Sequence, residues 1–293
     1  MERELFRKAY AKINLHLAVG LPDATGYHAL ESIFTKIEFW DLLKVTWEAS
    51  PTFSIEVRGL EQYCKAGSDS ISKAAMLWFE QSGVPLSLVV DCQKFIPVKA
   101  GLGGGSSDAA TILMVLQELA GPKALDSKTL FAIGRSVGSD VSFFLSGCDS
   151  ALVRGKGELI EPLDIPSKSV LLVMPTQFAI STAEAYRAID EGRDATYVPD
   201  GQSLSRVLSA LPEKCQNWKL IFYNDFLSVT RYTEFYDELN SLSVDFEGFG
   251  DLTGSGACWF FVSENKDMVL NLKEKIDRCY GSAVRMWLTA LMH

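Results

Sequence analysis

Apolar residues recur at every second position from Ile13 to Val19. Ile13, Leu15, Leu17 and Val19 share one face of a strand, and Lys12, Asn14 and His16 share the other. Lys12 and Asn14 therefore point the same way. Further strand-like runs are predicted at 32–39, 43–47, 53–57 and 86–92. Between the last two, Ile71, Ala74, Ala75 and Trp78 recur at helical spacing, which predicts a helix over 71–81 ended by Gly83.

A second helical stripe, Ala109, Ile112, Leu113 and Leu116, follows a run of glycines and ends at Gly121-Pro122, with Ser106 or Ser107 expected to cap its first turn. Another helix near 127–137 leads into Gly138-Ser139-Asp140. The segment from Gly155-Lys156-Gly157-Glu158 to Ile165-Pro166 reads as a connection, which puts a domain boundary near residue 160. The expected domains are 1–160 and 161–293, the last strand near 283–288 being a candidate to return to the first. In the second half a strand is predicted at 169–174, and Ser181-x-x-Glu184 is a capping box opening a helix that carries Tyr186. A strand at 259–262 follows Leu252-Thr253-Gly254-Ser255-Gly256-Ala257, and a helix over 265–279 precedes the final strand. The pattern is α+β, without internal repeats.

Composition narrows the function. A chain of 293 residues with 47% hydrophobic and 22% charged residues folds nearly end to end, and two domains are the better expectation. The formal net charge of −9 disfavours nucleic acid and anionic membrane as partners, so an anionic ligand needs local donors. No apolar run approaches the roughly 20 residues that span a bilayer. Met1-Glu2-Arg3-Glu4 carries no signal or transit pattern, so a cytoplasmic location is expected. Six cysteines, never spaced C-x-x-C, predict reduced thiols, with neither a zinc site nor a disulfide framework.

The most unusual stretch is Val98-Lys99-Ala100-Gly101-Leu102-Gly103-Gly104-Gly105-Ser106-Ser107-Asp108. Four glycines ahead of a helix let backbone amides converge on a phosphate, and the helix dipole adds positive potential without a basic residue. A Walker loop is excluded, since no Gly-Lys-Ser/Thr occurs, and Ser106 stands where a dinucleotide fingerprint needs its third glycine. Phosphoryl transfer then requires an aligned hydroxyl, a proton acceptor and a nearby cation, for which Asp140 and Lys12 are candidates. Either could equally be an ordinary surface or capping residue. Three histidines and no G-x-S-x-G elbow leave hydrolase and metal-cluster readings unsupported.

Three segments, Ala9-Tyr10-Ala11-Lys12-Ile13-Asn14-Leu15, the 97–110 glycine loop and Leu252–Ala257, resemble in order the three motifs of the small-molecule kinases named for galactose, homoserine, mevalonate and phosphomevalonate. Within that superfamily, Gly26-Tyr27-His28, Gly138-Ser139-Asp140-Val141 and Ile180-Ser181-Thr182-Ala183-Glu184-Ala185-Tyr186 resemble the branch that phosphorylates a cytidine diphosphate ester of methylerythritol. The likeness runs over 9–262. It implies a two-domain α+β fold with a glycine loop around the phosphates of ATP, carried with Mg²⁺, and an active site in the cleft between the domains.

The resemblance also assigns roles. It makes Lys12 and Asp140 the catalytic pair, residues 98–108 the ATP loop, and Asn14, Tyr27, His28, Thr182, Tyr186, Gly254, Ser255 and Gly256 the substrate contacts. Tyr27 and Tyr186 would stack on cytosine, and His28 would read its edge. No metal is expected to be held by protein ligands alone. Tyr10 and Ser142 stand where the family usually has proline, and Lys99 where it has a small or glycine-like residue. A same-fold kinase of homoserine, mevalonate or a sugar, and a non-catalytic metabolite sensor, are the alternative readings.

Overall fold

The computed structural model describes residues 3–193 and 201–293; Met1 and Glu2, from the N-terminal stretch read above, lie outside them. The chain divides into two compact units built from interleaved segments. One comprises residues 1–11, 39–98 and 103–148; the other comprises 12–38, 99–102 and 149–293. This differs from a single boundary near 160. The physical reason is that two long strands, β1 (Arg3–Pro22) and β2 (His28–Ala49), each pass from one unit into the other.

In the first unit, β3 (Ser54–Arg58), α1 (Ser70–Ser82), β4 (Leu86–Gln93), α2 (Gly104–Ala120), α3 (Ser127–Val137) and α4 (Val141–Leu145) follow in order. β4 pairs parallel with β3 and antiparallel with Leu42–Ala49 of β2. Asp69 caps α1 by accepting the Ser72 amide at 2.7 Å, and Gly83 ends it at φ 63°. The stripe predicted for α1 is the buried one: Ile71, Ala74, Ala75 and Trp78 are all enclosed. The end of α2 is fixed by Gln117, whose amide oxygen accepts from Trp78 Nε1 at 2.9 Å and from the Leu125 amide at 2.9 Å.

The second unit continues with β5 (Ser150–Gly155), β6 (Leu159–Leu163), β7 (Ser169–Pro175), α5 (Thr182–Gly192), α6 (Gly201–Ala210), α7 (Thr233–Ser243), β8 (Phe249–Leu252), β9 (Trp259–Ser263), α8 (Lys266–Tyr280) and β10 (Val284–Ala290). The order β10-β7-β9-β8 makes an antiparallel sheet. Leu171, Val173, Trp259 and Phe261 of that sheet pack with Leu272 and Ile276 of α8 and Tyr236 and Leu239 of α7. β5 pairs antiparallel with Leu30–Thr35 of β2 and with β6.

Five expectations need correction. The 155–166 segment is a turn followed by strand β6, because Ile160 and its neighbours pair with β5. The runs at 32–39 and 43–47 are one strand, the intervening Trp40-Asp41-Leu42 staying extended. α2 is capped by Gly103, in a left-handed conformation at φ 70°, and not by the hydroxyl of Ser106 or Ser107. Ser181 does precede α5, but its side chain makes no capping hydrogen bond. β10 pairs with β7 in the second unit. All six cysteines are free thiols, and no helix among the described residues is long and apolar enough to cross a membrane.

Candidate active site

In the second unit the polar face of β1 is as buried as the apolar one. Lys12 is 3% exposed, and Asn14 and His16 are likewise enclosed. Buried polar groups need partners, and Asn14 supplies them. Its Oδ1 accepts from Lys12 Nζ at 2.7 Å and from the Gly254 amide at 2.9 Å, while its Nδ2 donates to Ser32 Oγ at 3.0 Å. The Asn14 amide donates to Thr253 Oγ1 at 3.0 Å. Lys12 Nζ also lies 4.7 Å from the centre of the Phe34 ring. The ammonium is thereby held in one orientation by an uncharged oxygen and an aromatic face.

The N-terminal part of the glycine loop joins the same assembly. The Lys12 amide donates to the Leu102 carbonyl at 3.0 Å, and the Cys258 amide donates to the Ala100 carbonyl at 3.2 Å. Gly101 has φ 75°, and a Cβ there would lie 2.0 Å from the Thr253 carbonyl oxygen. Glycine is required by both sign and space. Lys99 also has a positive φ of 55°, a conformation that costs a side-chain-bearing residue energy. The three motifs singled out in the sequence thus meet here: β1 at Lys12 and Asn14, the loop at 99–102, and the turn at 252–257.

That turn is itself anchored by a residue the sequence reading did not select. Asn224 Nδ2 donates to the carbonyls of Leu252 at 2.7 Å and Gly254 at 2.9 Å. Thr182 Oγ1, at the start of α5, lies 3.0 Å from Ser255 Oγ. Gly254 and Gly256 both take positive φ. Asn224 lies in a segment without clear periodicity, so no signal short of the folded turn pointed to it.

A second cluster of expected residues gathers around the β1–β2 turn. Asp23 Oδ1 accepts from the Thr25 amide at 2.8 Å, from Thr25 Oγ1 at 2.5 Å and from the Tyr27 amide at 3.1 Å. The Thr25 hydroxyl and Lys156, 2.9 Å away, hold the Asp23 carboxyl well below the usual range. Lys156 Nζ also sits 4.6 Å from the centre of the Tyr27 ring, which is 41% exposed. His28 is buried, its ring 4.9 Å from that of Tyr186, and Tyr186 meets Phe226 edge-on. His16, by contrast, is a core residue: burial lowers its pKa to about 4, and its Nδ1 accepts the Tyr223 amide.

In the first unit, residues 103–108 form the opening of α2, whose first amides have no intrahelical acceptor and are free to meet an anion. The Gly105 carbonyl accepts Ser70 Oγ at 2.7 Å. A Cβ on Gly104 would come within 2.9 Å of Ile96 Cγ2. A Cβ on Gly138 would lie 3.3 Å from Ser106 Oγ, so the Gly138-Ser139-Asp140 loop runs beside the first turn of α2. Asp140 precedes α4 without capping it by its side chain, so a purely capping role does not account for it.

Beneath α2 lies a buried charge cluster. Lys94 bridges Asp41 and Asp108, at 2.8 Å to Asp108. Asp41 Oδ1 also accepts the amides of Phe95 at 2.6 Å and Ile96 at 2.9 Å, fixing the approach to the loop. Burial pushes the Asp108 carboxyl up, against the pull of Lys94. Burial also opposes the charge on Lys94, but Asp108 and Asp41 outweigh it and hold the ammonium above its ordinary value. Removing one member of such a buried pair typically costs about 3–5 kcal/mol. Ser142 is fully enclosed, and its hydroxyl finds no partner among the described residues.

Residues 69–148 match the model of the GHMP kinases N terminal domain. A 4-diphosphocytidyl-2-C-methyl-D-erythritol kinase from Chloroherpeton thalassium is 34% identical over 290 residues, 97% of this chain and 95% of the relative. A crystal structure of 4-(cytidine 5'-diphospho)-2C-methyl-D-erythritol kinase superposes with a TM-score of 0.77 at 29% identity, covering 99% of this chain and 100% of that one. The phosphomevalonate kinase of Streptococcus pneumoniae has the same fold, with a TM-score of 0.71 at 13% identity over the whole of both chains. Identity at this level across nearly the full length, on a shared fold and with the glycine loop inside the matched region, means that the chain belongs to the 4-diphosphocytidyl-2-C-methyl-D-erythritol kinase family.

Proposed function

We propose that this chain transfers the γ-phosphoryl group of ATP to the 2-hydroxyl of 4-diphosphocytidyl-2-C-methyl-D-erythritol, giving the 2-phosphate and ADP, a step in non-mevalonate isoprenoid precursor biosynthesis. The observation that carries this reading is the buried Lys12 ammonium, oriented by Asn14 and tied through Leu102 and Gly254 to two glycine turns. An oriented cation beside phosphate-binding backbone is what a transferring phosphoryl group requires.

Asp140 takes the proton of the acceptor hydroxyl, and Lys12 steadies the negative charge that develops on transfer. The amides opening α2 and the 99–102 turn hold the phosphates, with residues 98–108 as the nucleotide loop. Mg²⁺ brought with ATP neutralises phosphate charge. Tyr27 and Tyr186 receive the cytosine, His28 lies at its edge, and Thr182, Ser255 and the 254–256 amides contact the rest of the substrate.

The reaction is tested by phosphorus NMR of the product. Carbon 2 bears both the methyl group and the accepting hydroxyl, so the new phosphate sits on a carbon without hydrogen. The expected new resonance is a monoester signal without proton splitting. A split signal would move the transfer to another hydroxyl and contradict the proposal.

A further inference from the structure

The carboxylate of Asp190 lies one helical turn after Tyr186 on α5, so the two side chains share a face. Both meet the same imidazole. Tyr186 packs on the His28 ring at 4.9 Å with the planes tilted by 35°, and Asp190 Oδ1 lies 3.4 Å from His28 Nε2. On its other side His28 is fixed: Nδ1 lies 2.8 Å from the Gly20 carbonyl oxygen, which can only accept, so Nδ1 carries a hydrogen and donates it. Nε2 is then the one ring nitrogen able to face a second molecule. Asp190 stands beside it and, unlike the buried His28, is 42% exposed.

A carboxylate offers acceptors and no donor. A pyrimidine edge brought against it must supply a hydrogen. Cytosine does so through its exocyclic amino group, whereas uracil presents a carbonyl oxygen at that position and would oppose two acceptors. Sites whose polar groups are left unpaired by the wrong ligand discriminate far more strongly than apolar pockets do.

We infer that Asp190 is a specificity-determining residue that selects an amino-bearing pyrimidine over uracil, with His28 held beside it by the Gly20 carbonyl. The inference rests on the proposed reading of Tyr186 and His28 as base contacts. Glu and Asp side chains on exposed helix turns are ordinarily solvated; what sets Asp190 apart is its approach to a ring nitrogen of a buried, oriented histidine.

The test is calorimetric binding of the cytidine and uridine diphosphate esters of methylerythritol to the full chain, with the nucleotide site filled by a non-hydrolysable ATP analogue. Asp190→Asn preserves the shape of the side chain and adds a donor, so it can meet either base. Wild type is expected to favour the cytidine ester by more than about tenfold, and Asp190→Asn to bring the two within about threefold, a change of at least ~0.7 kcal/mol. Asp190→Ala should likewise narrow the ratio, mainly by weakening the cytidine ester. A ratio unchanged in both variants, or a wild type that binds the two esters alike, overturns the inference. Because binding is read without turnover, a chain that binds the cytidine ester selectively yet transfers no phosphoryl group would fail the proposed function and leave the assignment of Asp190 standing.

Discussion

Asn14 is the residue on which the candidate site turns, because one amide side chain reaches Lys12, Gly254 and Ser32 at once. Its alternation with Lys12 on β1 was readable from the sequence. Its burial was not, since a polar face on an alternating strand ordinarily faces water. With Asp140 as the proposed proton acceptor, Asp140→Asn is expected to keep ATP binding while lowering kcat at least about 100-fold. Turnover within about twofold of wild type would remove Asp140 from that role. Asp251 is a buried carboxyl outside the chemistry, pushed up to about 8 by burial against the amides of Leu252 and Asn224. Its ordinary value is 3.8, so across the window up to about pH 8 the unfolded chain releases a proton that the folded chain retains. Stability from this group is therefore complete below the lower value and declines as pH rises. Asp251→Asn keeps an acceptor oxygen and does not titrate. Its stability relative to wild type should increase from about pH 5 to about pH 8 in urea unfolding, and parallel behaviour at the two pH values would contradict the assignment.

Among the elements, the glycine loop shows how one motif carries two different requirements. Gly101 needs a positive φ and has no room for a Cβ beside the Thr253 carbonyl, whereas Gly105 is helical and its Cβ would only touch Ser70 Oγ at 3.4 Å. Gly101→Ala is therefore expected to destabilise the chain by more than about 1 kcal/mol and to weaken ATP binding, while Gly105→Ala should leave stability near wild type. Thermal melts with and without nucleotide distinguish the two. Equal effects would mean that the loop's glycines serve only flexibility. The helices were legible where periodicity and an end signal agreed, as in α1 with its apolar stripe and Gly83, while the caps at Asp69 and Asn265 emerged only in the fold. The caps of α2 and α5 differ from expectation although hydroxyl-bearing residues stand in the right places: α2 begins after Gly103 in a left-handed conformation, and the Ser181 side chain makes no capping hydrogen bond. β6 was hidden by Pro162 and by its shortness, its place being set by pairing with β5 rather than by its own pattern.

At the scale of the whole molecule, the sequence motifs identified the chemistry more readily than the partition of the chain. Segments 12–38 and 99–102 belong with the C-terminal half, a nesting that no composition shift marks. The family likeness nevertheless spans nearly the full length, so the interleaving belongs to a fold shared with kinases of 13% identity as well as with closer relatives. The central claim is that this molecule phosphorylates the cytidine diphosphate ester of methylerythritol, and it is tested most directly by ADP release. The purified chain is supplied with Mg·ATP and, in parallel, that ester, homoserine, mevalonate and galactose. Turnover with the cytidine ester alone is predicted. Turnover with another acceptor, or none from a folded chain that binds ATP, would contradict the account.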